Sequence, residues 1–220
     1  MREIGIGLRA VRVGAQRFAR HSQERLAMHY LKSAGLRHAC KIPTFTSKDE
    51  LATLLNLALG MPSGGAAIEI GSYLGASTCY IAAGLRTHGG QLTCVDTWQN
   101  ETMPEGLLNT MELFEKNVAP VRECLQLIRV DSMKLNLNEV GRRFDLAFID
   151  GDHSYDSAKA DFGSVSPCIS DNGVVAFHDF SSFQGVSRVV GEVLATGMWR
   201  LEGTVSNLLW IRKTEFAHSS

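Results

Sequence analysis

Short apolar runs that alternate with helical patterns are the feature that most constrains the fold of this chain. From Ala66 onward, five runs of five to seven residues consist mostly of apolar side chains: AAIEI (66–70), LTCVD (92–96), LQLIRV (125–130), FDLAFID (144–150) and GVVAFHD (173–179). Nearly continuous apolarity over this length is typical of strands that are covered on both faces.

The segments between these runs have apolar residues at helical spacing. They predict helices over 75–85, 103–117 and 154–169, with a last helix near Gly185–Ala195. Repeated strand–helix units predict a doubly wound, mostly parallel α/β sheet. The stretches MWRLEG (198–203) and NLLWIRK (207–213) are separated only by TVS, so we expect them to complete a seven-stranded sheet as an antiparallel hairpin.

The chain of 220 residues is long enough for one large domain, and we assign it to residues 46–213. We expect residues 214–220 to form a disordered tail. Residues 1–45 are predicted to be a basic helical extension, with Leu8, Val11, Ala15 and Phe18 on one face. That helix could pack on its own domain, join two copies in a homo-oligomer, contact a partner or an anionic membrane, form a lid or act as a transit peptide.

Charge and cysteine content exclude several classes of protein. Residues 1–41 carry nine Lys or Arg against two acidic residues, whereas the remainder carries thirteen against twenty-one. The acidic body argues against nucleic-acid binding. The five cysteines form no CxxC pair, and no apolar run approaches the roughly 18 residues of a membrane span. We therefore expect a soluble, cytoplasmic protein with reduced thiols and no membrane span.

The stretch EIGSYLGAST (69–78) follows the first predicted strand and contains two glycines. Gly71 ends the strand and Gly75 opens the helix, so bare backbone and free N–H groups face any ligand at this edge. Alternatively, the glycines only tighten a strand-to-helix turn. The dinucleotide pattern GxGxxG is absent because Tyr73 stands where its second glycine belongs, which makes NAD a less suitable ligand.

Two aspartates end the next two predicted strands. Asp96 lies 25 residues beyond Gly71, near the position from which a doubly wound fold binds the ribose hydroxyls of a nucleotide. Asp131 ends the third strand, from which its side chain could reach the edge of the adenine of a bound nucleotide. Either aspartate could instead cap a helix.

The order of EIGSYLG, CVDTW, RVDS, FIDGDHSY and GVVAFHDF resembles that of a class I S-adenosylmethionine-dependent methyltransferase. The resemblance spans residues 66–212 and is greatest to the small-molecule O-methyltransferases of the macrolide-sugar and catechol types. It implies that Glu69, Gly71 and Gly75 line the methionine end of the cofactor. It also implies that Asp96 holds the ribose, that Asp131 and Ser132 border the adenine, and that further cofactor contacts come from Ser72, Thr97 and Asp150.

The same resemblance implies a divalent cation at the ends of the fourth and fifth strands. It places the ligands at Asp150, His178 and Asp179, and carboxylate oxygens with one imidazole suit Mg²⁺ or Mn²⁺. The chain departs from the family at His178, where the macrolide-sugar type has an acidic residue. It departs again at Phe180, where the catechol type has asparagine.

His153 lies three residues beyond Asp150, at the offset where the related enzymes place their general base. An imidazole has an unperturbed pKa of about 6.5 and can accept a hydroxyl proton near neutrality. The alternative is that His153 caps the helix that starts at Ser154. Asp152 could orient His153, contribute to the metal site or cap that helix.

The resemblance thus predicts that Asp150, through the cation, and His153, as the base, carry the methylation of a small hydroxylated molecule. Two other functions stay open: a nucleotide-dependent oxidoreductase on the same fold, and a cofactor-binding partner subunit without catalysis. The pattern does not separate catechols, sugars and other diols as acceptors. Candidates for the pocket wall, or for ordinary packing, are Trp98, Met103, Phe180 and Phe183.

Overall fold

A computed structural model of the chain describes residues 22–99, 106, 108–137 and 141–214. It contains one seven-stranded sheet. The strands are β1 (Ala66–Ile70), β2 (Gln91–Asp96), β3 (Leu125–Arg129), β4 (Phe144–Ile149), β5 (Ile169–Phe177), β6 (Trp199–Val205) and β7 (Leu208–Lys213). The predicted doubly wound fold is confirmed.

The strands lie in the order β3-β2-β1-β4-β5-β7-β6. All pairs from β3 to β5 are parallel, whereas β7 is antiparallel to both β5 and β6. The direction of winding reverses between the neighbours β1 and β4. In open α/β sheets, ligands bind in the crevice outside the carboxyl ends of the strands at such a reversal.

Helices cover both faces of the sheet. They are α1 (22–33), α2 (Lys48–Leu59), α3 (Ala76–Leu85), α4 (Met111–Val118), α5 (Tyr155–Val165) and α6 (Gln184–Ala195). No helix within the described residues is both long and apolar enough to cross a bilayer.

The side chains of β1 alternate between two hydrophobic cores, one on each face of the sheet. Ala67 packs into the core formed with α2, α3 and α4, whereas Ile68 and Ile70 pack into the core formed with α5 and α6. All five residues of β1 are buried. Burial on both faces is the reason that its apolar run is nearly continuous.

The described part of the predicted N-terminal extension packs on the domain. Leu31 and Leu36 are fully buried and belong to the same core as α2 and α3. Residues 22–45 therefore share a core with the rest of the chain. The basic helix predicted around residues 8–18 lies outside the described residues, as does most of the predicted tail.

The helix predicted over 103–117 is shorter in the structure and begins at Met111. Residues 108–110 are not helical, because the N–H of Leu108 donates to Gln99 and the N–H of Thr110 donates to Trp98. The backbone of this stretch is thus bonded to the segment after β2. Residues 101–105 and 107 lie outside the described part of the chain.

The boundary between α5 and β5 also differs from the prediction. The helix predicted to continue to residue 169 ends at Val165, and Pro167 lies in a short 3₁₀ turn over Ser166–Cys168. Proline has no N–H to donate and disrupts a helix interior. Strand β5 then begins at Ile169 and its pairing with β4 shifts register between Phe144 and Leu146.

Close packing of α2 on α3 depends on Gly84. A Cβ added to Gly84 would lie 2.8 Å from the Cβ of Ala58 and 2.9 Å from the carbonyl oxygen of Leu55. We predict that Gly84→Ala lowers the free energy of unfolding by about 1–3 kcal/mol, because overpacking forces the two helices apart. Urea denaturation measures this change.

Gly163 in α5 is the matched control, because a Cβ there meets no atom within 4 Å. Gly163→Ala is expected to raise the free energy of unfolding by about 0.5–1 kcal/mol, since alanine loses less backbone entropy in a helix. Equal effects of the two substitutions would contradict the packing argument.

Candidate functional site

The carboxyl ends of β1, β2, β4 and β5 meet at one edge of the sheet. Hydrogen bonds extend the pairing beyond the strands: the N–H of Gly71 donates to Val95, that of Asp150 to Ile70 and that of His178 to Ile149. The glycine turn, Asp150 and His178 are therefore held side by side. This edge is the one that the topology predicts to bind ligand.

Gly71 is required by a neighbouring strand end. It has a φ of +86°, and a Cβ at this position would overlap the backbone carbonyl of Asp150. Any other residue would therefore push β1 away from the Asp150 loop, besides adopting a left-handed backbone that favours glycine. The close approach of the end of β1 to the backbone of Asp150 is the reason that position 71 requires glycine.

Asp96 binds the glycine turn directly. Its Oδ2 accepts hydrogen bonds from the N–H groups of Ser72 (2.7 Å) and Tyr73 (2.9 Å), and its Oδ1 accepts one from Trp98 (2.6 Å). Two backbone donors on one oxygen fix the turn in the orientation that Tyr73 adopts, with a φ of 45°. The aspartate predicted to hold a ribose thus also fixes the shape of the glycine turn.

Glu69 is a fully buried carboxylate beneath this turn. Its Oε2 accepts hydrogen bonds from the hydroxyls of Ser72 and Thr78, whereas Oε1 has no partner of good hydrogen-bond geometry among the described residues. The hydroxyl of Ser77 is near enough to oppose a rise in the pKa of Glu69. Burial raises the pKa of Glu69 to about 7, and the charge of Asp150 adds to the rise. A buried acceptor without a donor is costly unless a ligand supplies one.

The segment after β3 contacts α5. Asp131 accepts a hydrogen bond from the N–H of Met133 (3.0 Å) and caps the 3₁₀ turn Ser132–Lys134. Thr97 is half-buried after β2, and its carbonyl accepts a hydrogen bond from Arg129. Asp131, Ser132 and Thr97 thus lie in the segments that follow β3 and β2, at the same edge of the sheet.

Three potential metal ligands converge after β4 and β5. Single ligand atoms of Asp150, His153 and Asp179 all lie within 4.8 Å of one another, and all three residues are partly exposed. The Nε2 atom of His153 is 3.3 Å from Oδ2 of Asp179. The structure thus brings the two predicted carboxylate ligands together and adds the predicted base to them.

His178, the third predicted ligand, lies on the buried side of this group and is only 4% exposed. Its Nδ1 is 3.0 Å from Asp150 and 3.3 Å from Asp179, although neither oxygen has hydrogen-bond geometry, and its Nε2 is 3.4 Å from Glu50. Burial lowers the pKa of His178, but the three carboxylates outweigh it and raise the pKa to about 12. The three residues whose ligand atoms all lie within 4.8 Å of one another are Asp150, His153 and Asp179, without His178.

His153 does not cap α5, because the hydroxyl of Ser154 accepts a hydrogen bond from Ser157 at the helix start. The carboxylate of Asp152 accepts hydrogen bonds from the hydroxyls of both serines. Of the three roles considered for Asp152, support of the helix start is the one with observed contacts. The ring of His153 lies 4.3 Å from that of Phe183, which is 43% exposed.

The other candidates for the pocket wall divide into core and surface. Trp98 is fully buried against Phe114, with ring centroids 4.9 Å apart, and Phe180 packs against the core under α5 and α6. Met103 lies outside the described residues. Phe183 is the candidate that is exposed beside His153.

Two residues at the site were missed by the sequence analysis. Glu50 of α2 is buried against His178, and Asn207 of the β6–β7 turn donates to Asp179. Glu50 was detectable as part of a capping box, since Ser47 precedes it by three residues. Its contact with a residue 128 positions away was not detectable.

Residues 68–180 of the chain match the model of a protein family that is described as a methyltransferase domain. Among curated proteins, none matches the chain. The matched segment includes the glycine turn and the strand ends that carry Asp96, Asp150 and Asp179.

Several solved structures are similar to the chain over most of their length. A protein from Corynebacterium glutamicum is 15% identical with a TM-score of 0.63, covering 90% of this chain and 92% of that chain. An O-methyltransferase from Bacillus cereus in complex with SAH is 19% identical, with a TM-score of 0.60 and coverages of 87% and 91%. TomG, an O-methyltransferase from Streptomyces achromogenes in complex with SAM, is 17% identical, with a TM-score of 0.60 and coverages of 84% and 90%. These likenesses show a common fold.

Asp161 of α5 is a second buried carboxylate near the site, between Gly151 and Ser132. It is 0% exposed, and neither oxygen has a hydrogen-bond partner of good geometry among the described residues. Burial raises the pKa of Asp161 to about 6, the hydroxyl of Ser132 opposes the rise, and the charges of Asp152 and Asp131 add to it.

We predict that Asp161→Asn removes a pH-dependent loss of stability. In the wild type the unfolded aspartate ionises near its usual pKa of 3.8 and the folded one near 6, so stability falls as the pH rises between these values. Above pH 6 the variant is expected to be more stable by up to about 3 kcal/mol. Urea denaturation from pH 4 to 8 measures the difference.

Asp156→Asn is the matched control, because Asp156 is exposed on the same helix. That variant should follow the wild-type stability across the whole pH range. A constant difference between Asp161→Asn and the wild type at every pH would show that ionisation of Asp161 does not cause the loss.

Proposed function

The chain belongs to the family of methyltransferase domains that matches its residues 68–180, and we propose that it is a divalent-metal-assisted O-methyltransferase. In this proposal it transfers a methyl group from S-adenosylmethionine to a hydroxyl of a small molecule. The observation that carries the proposal is the convergence of Asp150, His153 and Asp179 within 4.8 Å at the edge that holds the glycine turn.

The residues of the turn fit the cofactor. Oε1 of Glu69 is a buried acceptor without a partner of hydrogen-bond geometry among the described residues, and it lies near the end of β1 beside a turn whose two glycines carry no side chain. The Bacillus cereus and Streptomyces achromogenes structures hold SAH and SAM on the same fold. We assign the binding of S-adenosylmethionine to Glu69, Gly71, Ser72 and Gly75, with Asp96, Thr97, Asp131, Ser132 and Asp150.

The oxygen ligands also fit a hard divalent cation. Mg²⁺ and Mn²⁺ favour carboxylate oxygens and keep several waters, so Asp150 and Asp179 are sufficient to hold such an ion. Burial raises the pKa of Asp179, but the neighbouring imidazole of His178, 3.3 Å away, outweighs burial and lowers that pKa, which keeps this ligand ionised. We therefore assign the cation to the two carboxylates and give His178 the role of their buried partner.

His153 keeps the role of general base. Its Nε2 faces Asp179, and a carboxylate in this position orients an imidazole and stabilises the proton that it accepts. When bound, S-adenosylmethionine supplies a sulfonium-activated methyl group, and the cation supplies a positive charge that lowers the pKa of a substrate hydroxyl. His153 then takes the hydroxyl proton, and Phe183 packs against the imidazole and restricts its rotation.

In this proposal residues 46–213 carry the catalytic site, residues 22–45 pack on the same core, and the protein is cytoplasmic. All five cysteines are free. Free thiols are typical of a reducing compartment, where disulfides do not persist.

We predict that Asp150→Ala separates cofactor binding from ion binding. In the wild type, SAH should raise the Tm and Mn²⁺ should raise it further. The variant should keep a reduced SAH effect, since the other assigned cofactor residues remain, but lose the Mn²⁺ effect. It should also lose most methyl transfer from S-adenosylmethionine to a catechol or another diol. Thermal melts with each ligand and a methyl-transfer assay measure these changes.

Asp171→Ala is the control, because Asp171 is an exposed carboxylate at the start of β5. It should respond to both ligands as the wild type does. A wild-type response to Mn²⁺ in Asp150→Ala would reject the assignment of the ion to Asp150. The absence of any SAH response in the wild type would reject the proposed methyltransferase activity.

We predict that His153→Ala lowers turnover by about 10²–10⁴-fold, since this is the usual contribution of a positioned base. A rise in pH should restore part of the activity, because hydroxide and the ionised substrate replace the missing base. The pH–rate profile of the variant, compared with that of the wild type, measures the effect.

The affinity for Mn²⁺ distinguishes a base from a ligand. A base is not needed to hold the ion, so His153→Ala should bind Mn²⁺ with nearly the wild-type Kd. A large loss of Mn²⁺ affinity would instead make His153 a ligand, and an unchanged pH–rate profile would exclude it as the base.

A further inference from the structure

Glu50 is a buried carboxylate that joins three distant parts of the chain. It is 2% exposed, and it lies in the first turn of α2. Its Oε2 accepts a hydrogen bond from the N–H of Ser47 (2.6 Å) and lies 3.4 Å from Nε2 of His178, while its Oε1 accepts one from the N–H of Asn207 (2.6 Å). A capping box requires only the contact with Ser47.

The contacts of Glu50 lead to both carboxylates of the candidate ion site. On its other side, the imidazole of His178 faces Asp150 and Asp179, with Nδ1 3.0 and 3.3 Å from their oxygens. Glu50 thus contacts Nε2 of the His178 ring, while the other ring nitrogen, Nδ1, faces both aspartates. A change at Glu50 would free that ring to turn.

Asn207 makes a second connection from Glu50 to Asp179. Its backbone N–H donates to Glu50, while its side-chain Nδ2 donates to Oδ1 of Asp179 (3.1 Å) and to the hydroxyl of Ser182 (2.6 Å). The carbonyl of Asn207 accepts a hydrogen bond from Phe180. Asn207 therefore holds the aspartate and the loop that follows it.

Asp179 needs such support because its backbone is in the left-handed region, with a φ of 56°. Residues in this region persist where the surrounding contacts hold them. Oδ1 of Asp179 is held by Asn207, and Oδ2 lies 3.3 Å from both His178 and His153. The direction of this carboxylate is thus set by side chains from the β6–β7 turn, from the end of β5 and from the segment after β4.

We propose that Glu50 and Asn207 are positioning residues that orient Asp150 and Asp179 for the divalent cation. This inference rests on the proposed function. Hydrogen-bonded partners behind metal ligands fix the direction of those ligands, and their loss commonly weakens metal binding by about 10–100-fold. Glu50 acts through His178 and Asn207, and Asn207 acts on Asp179 directly.

The test measures the Kd for Mn²⁺ by electron paramagnetic resonance in the full chain with SAH bound. We expect Glu50→Gln and Asn207→Ala each to raise this Kd by about tenfold or more. The affinity for SAH, measured by calorimetry, should stay within about twofold of the wild type because the Glu69 turn is not altered.

Ser47→Ala is the matched control for loss of the helix cap. It removes the acceptor of the Glu50 N–H but leaves the carboxylate of Glu50 with its bonds to Ser47 N–H, His178 and Asn207. We expect a lower Tm and an unchanged Kd for Mn²⁺, because loss of an N-cap destabilises a helix without moving the ion ligands.

The outcomes separate this inference from the proposed function. Wild-type Mn²⁺ affinity in both Glu50→Gln and Asn207→Ala would overturn the positioning role while leaving the ion site in place. A wild-type protein that binds no Mn²⁺ would overturn the ion site and the positioning role together. If Glu50→Gln does not fold, the Kd of Asn207→Ala decides alone, because Asn207 contacts Asp179 directly.

Discussion

The arrangement at the carboxyl edge depends on one buried imidazole surrounded by three carboxylates. His178 lies between Glu50 on one side and Asp150 and Asp179 on the other. Charges removed from water must be paired, since an unpaired buried charge is costly. Hydrogen bonds to His178 and to two backbone N–H groups also lower the pKa of Glu50 to about 2, although burial opposes the change. This cluster connects α2 to the ends of β4 and β5.

The turn that we propose for the cofactor and the carboxylates that we propose for the ion lie side by side at Gly71. The turn after β1 lies directly against the backbone of Asp150, where a Cβ would overlap its carbonyl. Asp96 holds the same turn from the side of β2. A methyl donor on the glycine turn and an ion on the carboxylates would therefore keep a fixed distance from each other. Group transfer requires such fixed positions of the reacting groups.

The fold is shared with structures that are less than 20% identical to the chain, including O-methyltransferases with SAH or SAM bound. A fold at this distance does not define an activity, because function resides in the site. For this chain, the family match gives methyl transfer, and the hydroxyl acceptor is our proposal from the residues at the strand ends. The exposed ring of Phe183 lies beside His153.

The sequence by itself determined the alternating strands and helices of a doubly wound sheet, the terminal hairpin and the strand ends that carry Asp96, Asp150 and Asp179. These features depend on local periodicity, which is visible in the residues. The tertiary structure decided the start of α4, where backbone groups bond to the segment after β2, and the burial of Trp98. It also decided the surroundings of His178, because Glu50 and Asn207 reach that edge from distant parts of the chain, and such contacts leave no local pattern.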